Sequence, residues 1–209
     1  EYHDLIAVKA AETKKSALTK YLGTFDINNF KLYAKFPNVN EAFKVYDVTD
    51  TSSVNNKDNF LDAYSTNQNT NYGTGAEINL INSSDGTNRQ VINFTIPAGI
   101  ASADITSSNL YFNYFATSIG DINGKVVDCW KLTRDDWHET QSTWISYKTA
   151  NSWTTAGGDF VTTSPAGASY TVTNANNVIT WWNWTITALV TDAIDNVARS
   201  LNVLCKFNN

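Results

Sequence analysis

The sequence predicts an all-β protein, namely an antiparallel two-sheet jelly-roll sandwich preceded by an amphipathic N-terminal helix. Apolar residues alternate with polar residues over several short segments, Asn- and Gly-containing turns separate these segments, and one short helix interrupts them. Many short strands joined by turns are typical of two packed antiparallel sheets. With 209 residues, of which 42% are hydrophobic, the chain is long enough to bury one sizeable core.

The first predicted element is a helix over residues 4–22. Its apolar residues recur at helical spacing, and Gly23 follows as a C-terminal stop. Acidic residues precede the lysines along this segment, which is the order that suits the helix dipole. The helix and a connector form an N-terminal arm at residues 1–50, and the sandwich domain takes residues 51–209.

A short strand is predicted over residues 30–36, because apolar and polar residues alternate there until Pro37 ends the run. Residues 38–59 are polar and rich in asparagine, with few apolar residues among them. Such a segment is typical of a connector or of an edge strand.

Strand periodicity is clear beyond Phe60. Three runs alternate, and their predicted inward residues are Ile92, Phe94 and Ile96, then Leu110, Phe112 and Tyr114, and then Trp182, Trp184 and Ile186. One face of each strand should point into the core, and the other should meet water or a second layer. A short helix over residues 188–196 follows as a crossover between sheets.

The chain carries seven tryptophans, more than one modest core can bury, so several should be partly exposed. Alternation places Trp181, Tyr111 and Phe115 on the outward faces of their strands. Exposed rings suit the C–H surfaces of sugars, so these three residues are the candidate carbohydrate-binding platform. The alternative is aromatic packing under loops or against the N-terminal helix, and the pattern leaves both open.

Charge and hydropathy exclude two classes of partner. A net charge of -5, with only 17% charged residues, leaves no basic face for phosphates and argues against nucleic acid. No apolar run approaches the roughly 20 residues that a membrane helix needs, so no membrane insertion is expected.

Cysteine and histidine spacing does not predict a zinc site. The chain has no Cys-x-x-Cys pair, and neither His3 nor His138 has a cysteine partner nearby. Cys129 and Cys205 are predicted to lie in strands, either bridged to each other or as buried thiols.

The sequence predicts a protein that is not an enzyme. Glycoside hydrolysis needs two carboxylates that face one cleft, whereas the acidic residues are scattered without a spacing that pairs them. A Gly-x-Ser-x-Gly elbow is missing from the sequence, and neither cysteine stands in a signature with a histidine. His138 lies between Trp137 and Glu139, a setting that is more typical of a structural turn.

No cofactor is predicted, although the composition leaves a structural calcium ion open. Oxygen-rich turns could supply ligands around Asp58, Asp62, Asp85, Asp121 and Asp159. No segment matches the twelve-residue calcium loop, so the sequence favours a protein without bound metal.

Residues 137–144 read Trp-His-Glu-Thr-Gln-Ser-Thr-Trp, and this octet resembles the signature of the DNRLRE or disaggregatase-related domains, which are similar to the family-96 carbohydrate-binding modules. The resemblance covers about residues 60–207. Its other segments, in order, are residues 62–64, 69–73, 89–94, 97–99 with 105–110, 153–160 and 184–190. The resemblance implies a β-sandwich in which four octet residues have structural roles, namely Trp137, Glu139, Thr143 and Trp144.

The same resemblance implies a non-catalytic module of an extracellular or virion surface assembly. Domains of the family occur in secreted polysaccharide-degrading proteins, in surface-layer proteins and in virion proteins of bacterial viruses. A glycan or polysaccharide and the neighbouring subunits are therefore the expected partners. The alternative is a purely structural virion or surface-layer subunit that mediates protein-protein assembly. The family also carries a Pro-led strand after the position of Phe207, which this domain is expected to lack, so either the sequence is incomplete there or the closing strand comes from elsewhere.

Overall fold

The computed structural model describes residues 31–35, 43–47, 56–75, 80, 82–83, 86–96, 98–114, 123–173 and 180–208. The strands within these ranges are β1 (Lys31–Lys35), β2 (Phe43–Asp47), β3 (Asn56–Asp62), β4 (Asn82–Ser83), β5 (Gly86–Thr95), β6 (Ser107–Tyr114), β7 (Val126–Leu132), β8 (Ser146–Lys148), β9 (Asn151–Ser152), β10 (Phe160–Val161), β11 (Ala168–Thr171), β12 (Thr180–Thr185) and β13 (Ser200–Phe207). Helix α1 (Thr187–Asp195) lies between the last two strands. The predicted all-β class is confirmed, whereas the helix predicted over residues 4–22 lies outside the described residues.

Two antiparallel sheets dominate the molecule. Sheet A has four strands in the order β12-β6-β1-β2. Sheet B has seven, with the path β10-β7-β13-β5-β3, β11 beside β7 and β4 beside β5. The strand predicted over residues 30–36 is confirmed as β1, which pairs with β6 so that Leu32 lies opposite Leu110. For residues 38–59 the sequence predicted a connector or an edge strand, and β2 in this range lies at the end of the strand order of sheet A.

One apolar core joins sheet A, sheet B and α1. It contains eight of the nine residues that alternation predicted to face inward, namely Ile92, Phe94, Ile96, Leu110, Phe112, Trp182, Trp184 and Ile186. The ninth, Tyr114, has a side chain outside the described set. These eight residues are 4% exposed or less, so strand periodicity correctly identified this face of each strand.

Helix α1 confirms the short helix predicted over residues 188–196. Its buried residues are Leu189, Val190, Ala193 and Ile194, a spacing that places them on one helical face toward the core. Lys131 Nζ contacts Asp192 Oδ2 at 2.6 Å and links the other side of the helix to β7. Among the described residues, no helix is long and apolar enough to cross a membrane.

The opposite face of sheet B is buried as well. Leu61, Val91, Leu132 and Leu204 form a second apolar core with aromatic residues of the segment 133–160, namely Trp137, Tyr147 and Trp153. We call this segment the covering layer. Strands β5 and β13 therefore lie between two cores, which explains how four tryptophans are buried while Trp130, Trp144 and Trp181 stay half-buried.

Candidate functional site

The octet of residues 137–144 lies in the covering layer and closes the open edge of β3. Ala63 donates its N–H to Thr87 O at 2.9 Å in the β3-β5 register, so alternate residues of β3 direct their backbone groups toward β5. The residues between these, including Asp58, direct their backbone groups away from β5, toward the edge of sheet B. There Glu139 Oε1 accepts the N–H of Asp58 at 3.2 Å. Glu139 thus covers an edge amide that another strand could otherwise pair with.

Asp58 and Glu139 also form a carboxyl pair that sequence reasoning missed. Their side chains share a hydrogen bond, Glu139 is 7% exposed, and Asp58 is half-buried. Burial, followed by the hydrogen bond and the negative charge of Glu139, raises the pKa of Asp58 to about 7. The pair fastens the edge of β3 to the octet, because Glu139 Oε1 also accepts the backbone N–H of Asp58.

Two asparagine side chains donate hydrogen bonds to the octet. Asn59 donates through Nδ2 to Ser142 Oγ at 2.7 Å, and Asn71 donates through Nδ2 to the carbonyl oxygens of Glu139 and Ser142 at 2.6 and 2.7 Å. Gly73 packs so closely that a Cβ there would lie 2.2 Å from Glu139 O. The loop after β3 is therefore shaped to the backbone of the octet.

Trp137 anchors the octet in the second core. Its Nε1 donates to Asn202 Oδ1 at 2.9 Å, and its side chain is 1% exposed. Lys57 Nζ donates to Trp137 O at 2.6 Å and lies 4.7 Å from the centre of the indole ring. Burial lowers the pKa of Lys57 against the raising effect of nearby carboxylates, first among them Asp135. The Lys57 ammonium group donates to the backbone carbonyl oxygens of Asp135 and Trp137.

Thr143 and Trp144 order the end of the octet. Thr143 Oγ1 accepts the N–H of Ser146 at 3.1 Å, and Thr143 O accepts Trp153 Nε1 at 2.9 Å. Trp144 lies against Gly157, where a Cβ would come within 2.5 Å of the indole, and Arg89 stacks 4.9 Å from the ring. All four octet residues that the resemblance singles out therefore make structural contacts.

The aspartates considered for calcium are already engaged where the structure describes them. Asp62 accepts the N–H of Tyr64 at 2.9 Å, and Asp159 accepts the N–H groups of Thr154 and Thr155 at 2.9 and 2.7 Å. Asp85 and Asp121 lie outside the described residues. Within the described ranges, no group of three His, Cys, Asp or Glu side chains could hold a metal ion.

His138 is not brought into contact with Cys129 or Cys205. His138 Nδ1 lies 3.2 Å from Thr140 Oγ1, and its ring is half-buried. Cys129 and Cys205 are buried as free thiols in β7 and β13. A nucleophile and a base in contact, which covalent catalysis requires, are not formed by these residues.

The predicted aromatic platform lies on the second face of sheet A. Trp181 lies opposite Asn113, and Asn183 lies opposite Tyr111, so Trp181, Asn183 and Tyr111 share one face. This face is turned away from the core residues Trp182 and Trp184 on the same strand. Trp181 and Tyr111 are both half-buried, and diagonal neighbours of this kind lie roughly 7–8 Å apart. Phe115, the third predicted member, lies outside the described residues.

Polar side chains flank the two rings. Asn183 and Thr185 are exposed along β12, and Thr185 Oγ1 donates to Asn109 Oδ1 on β6 at 2.9 Å. Sequence reasoning did not include Asn109 or Asn183, although each follows from Trp181 or Tyr111 by the same two-residue alternation. The rings, amides and hydroxyl together form the surface that we call the outer face of sheet A.

Neither a protein-family model nor a curated protein matches this chain. The resemblance to the DNRLRE domains therefore stays a prediction. Three of the segments that carry it, residues 69–73, 137–144 and 153–160, contact one another through Asn71, Glu139, Thr143 and Trp153.

Proposed function

We propose that this protein is a non-catalytic β-sandwich module that binds a glycan through the outer face of sheet A. The observation that carries the proposal is the placement of Trp181 and Tyr111 on one sheet face, where both residues are half-buried. Tryptophan and tyrosine rings present apolar faces that stack on the C–H surface of a sugar. Asn109, Asn183 and Thr185 add amide and hydroxyl groups that match the hydroxyl groups of the same ligand.

The regular register of β6 and β12 favours an extended polysaccharide chain over a small ligand. Small-molecule sites are concave and enclose most of their ligand, whereas this surface is built from side chains of neighbouring strands in regular register. Successive sugars of a chain can each contact one ring. The preferred ligand is therefore an oligosaccharide or polysaccharide in an extracellular or virion surface assembly, as the resemblance to the DNRLRE and family-96 modules implies.

The finer assignment of the fold as a jelly roll belongs to the same proposal. Consecutive strands β5, β6 and β7 lie in sheets B, A and B, and β12 and β13 lie in A and B. Repeated crossing between two antiparallel sheets is typical of jelly rolls. In this proposal the outer face of sheet A serves as the binding surface.

A structural subunit is the second candidate function, because half-buried tryptophan and tyrosine are also enriched at protein interfaces. In this alternative the outer face of sheet A contacts a neighbouring subunit of a virion or surface layer. The two candidates use the same residues and differ in the chemistry of the partner.

Binding of the folded protein to an array of polysaccharides and glycans tests the proposal. The set compares the wild-type protein with Trp181→Ala, Tyr111→Ala and a control, Tyr64→Ala, which removes an aromatic ring that is 45% exposed on the loop after β3. We expect saturable binding by the wild type and the control. We expect at least a tenfold weakening in the two outer-face variants, equivalent to about 1.4 kcal/mol.

Thermal melting of each variant shows whether weaker binding reflects unfolding. A wild-type protein that is folded and binds nothing on the array contradicts the glycan proposal. Loss of self-association or of co-assembly in Trp181→Ala, measured by sedimentation, would then support the structural subunit.

A further inference from the structure

We propose that Cys129 and Cys205 become joined by a disulfide that links β7 to β13 in the centre of sheet B. The two residues lie directly opposite each other in the antiparallel register, and both side chains are 0% exposed. Their sulfur atoms are 3.3 Å apart as thiols. The residues pack in the first core beside Val127 and Val203.

The register between β13 and β7 places Cys129 and Cys205 in the type of strand pair that a disulfide can bridge. Asn208 donates its N–H to Val126 O at 2.8 Å, and these residues continue the β13-β7 register by one position beyond Phe207 and Val127. Hydrogen-bonded and non-hydrogen-bonded pairs alternate along an antiparallel ladder. Cys205 lies an odd number of positions from Asn208, so Cys205 and Cys129 form a non-hydrogen-bonded pair.

The register toward β5 gives the same result independently. Ile96 donates its N–H to Arg199 O at 2.8 Å, one position before the β13-β5 ladder begins at Ser200. Cys205 lies an even number of positions from Arg199, so it forms a hydrogen-bonded pair with Gln90 on β5. The backbone groups of Cys205 therefore point to β5 and away from Cys129.

Non-hydrogen-bonded pairs provide the distance that a disulfide needs. Their Cα atoms lie about 4.5 Å apart, at the short end of the range of about 4.4–6.8 Å that disulfides span. The sulfur atoms must approach from 3.3 Å to about 2.05 Å, which is a change that side-chain rotation can supply.

The oxidant that we propose is a small or protein disulfide. The thiolate of one cysteine attacks the oxidant's disulfide, forms a mixed disulfide and releases one thiolate of the oxidant. The thiolate of the second cysteine then attacks the protein sulfur of this mixed disulfide and releases the other oxidant thiolate. The protein loses two electrons and two protons, and the oxidant is reduced to two thiols.

Because both thiols are buried in the folded chain, we expect the disulfide to form before folding is complete. Burial raises the pKa of the Cys205 thiol well above its ordinary value, so the attacking thiolate is scarce once the core has closed. Both sulfur atoms are also out of reach of an external disulfide in the folded chain. Once formed, the bridge is protected from reductants by the same burial. The proposal rests on the proposed extracellular location only for the source of the oxidant.

Refolding from denaturant in the presence of oxidised glutathione tests the inference. After acid quenching, the chain is denatured and alkylated, and its mass and labelled thiols are measured. We expect a native-like monomer that has lost the mass of two hydrogen atoms and carries no alkylated thiol. Protease digestion should give one linked pair of peptides that contain Cys129 and Cys205 and that separate on reduction.

Cys129→Ser and Cys205→Ser are the matched controls, and each should retain one thiol or one glutathione adduct. A wild-type chain that folds with both thiols alkylated, or with glutathione on both, would overturn the inference. If refolding in vitro fails, protein exported to an oxidising compartment provides the second measurement, and two free thiols there are equally decisive. Because thiol counts do not depend on sugar, failure here is separable from failure of the glycan proposal.

The melting temperature distinguishes a bridge that fits the native sheet from a strained one. The bridge closes a loop between residues 76 positions apart and thereby restricts the unfolded chain. The oxidised wild-type protein should melt at a higher temperature than the reduced protein, and the double variant C129S/C205S should not respond to the oxidant. A lower melting temperature for the oxidised form would contradict the geometry that we infer.

Discussion

Asp58 and Glu139 meet across 81 positions of sequence, with the backbone N–H of Asp58 bound to Glu139 Oε1 at 3.2 Å and their carboxyl groups hydrogen-bonded. The contact joins the edge of sheet B to the covering layer. One of the two carboxyl groups must carry a proton for them to share a hydrogen bond, so we expect this one contact of the covering layer to depend on pH.

We predict that folding stability falls as pH rises from about 4 to about 7. The pKa of Asp58 is about 7 in the folded chain and about 3.9 when unfolded, so the folded chain holds a proton that the unfolded chain has released. This contribution is fully present below the unfolded pKa and is lost as pH rises through the folded pKa. One proton gives a slope of up to about 1.4 kcal/mol per pH unit.

Urea unfolding across this pH range measures the effect. The matched variant is Asp58→Asn, which keeps a donor for Glu139 and cannot titrate. Its stability should depend less on pH than that of the wild type. Equal slopes for the two proteins would show that Asp58 does not hold the proton.

Gly73→Ala should weaken the docking of the loop after β3 on the octet. The added methyl group would lie 2.2 Å from Glu139 O and 2.7 Å from its carbonyl carbon, and backbone atoms cannot move away as a side chain can. We expect a loss of about 1–3 kcal/mol in the free energy of unfolding, as for other overpacked sites. Thr74→Ala, a change at an exposed neighbour, is the control and should cost less than about 0.5 kcal/mol.

Trp137→Phe should destabilise the second core. The substitution removes the hydrogen bond from Nε1 to Asn202 Oδ1, shrinks a side chain that is 1% exposed and alters the ring that Lys57 contacts. We expect a loss of about 2 kcal/mol or more by denaturant unfolding. Trp144→Phe, at a half-buried ring of the same octet, should cost less, and equal losses would contradict the anchoring role of Trp137.

Removal of metal by a chelator should leave the melting temperature unchanged. The carboxylates of Asp62 and Asp159 are already bound to backbone N–H groups, and Asp62 also accepts Asn67 Nδ2 at 2.9 Å. Calorimetry with and without EDTA, followed by added calcium, checks this expectation. A melting temperature that falls with EDTA and recovers with calcium would reveal a bound ion.

Local alternation was sufficient to predict one face of the fold. It identified β1 and the burial of Trp182 and Trp184, and the helix predicted over residues 188–196, where the alternation stops, lies close to the observed Thr187–Asp195. It also separated Trp181 from these buried tryptophans on the same strand.

Local alternation could not predict contacts between segments that are far apart in the sequence. Val91 and Ile92 are adjacent and both 0% exposed, because separate layers cover the two faces of β5. A short apolar run of this kind fits several structures, and periodicity alone cannot choose among them. The pair of Asp58 and Glu139 was missed for a related reason, since only the folded sheet brings an edge strand to the octet.

Strand β13 lies between β5 and β7 in space but follows both in the chain. On the ribosome, β5 and β7 are therefore completed before the strand that they share has been made. Each then offers an unpaired ladder of backbone groups that a nascent chain on a neighbouring ribosome could occupy. Slower translation after β7 would prolong this interval, and a chaperone that shields the two ladders would protect it. This exposure of strand edges follows from the order of synthesis, and it ends when β13 enters the sheet.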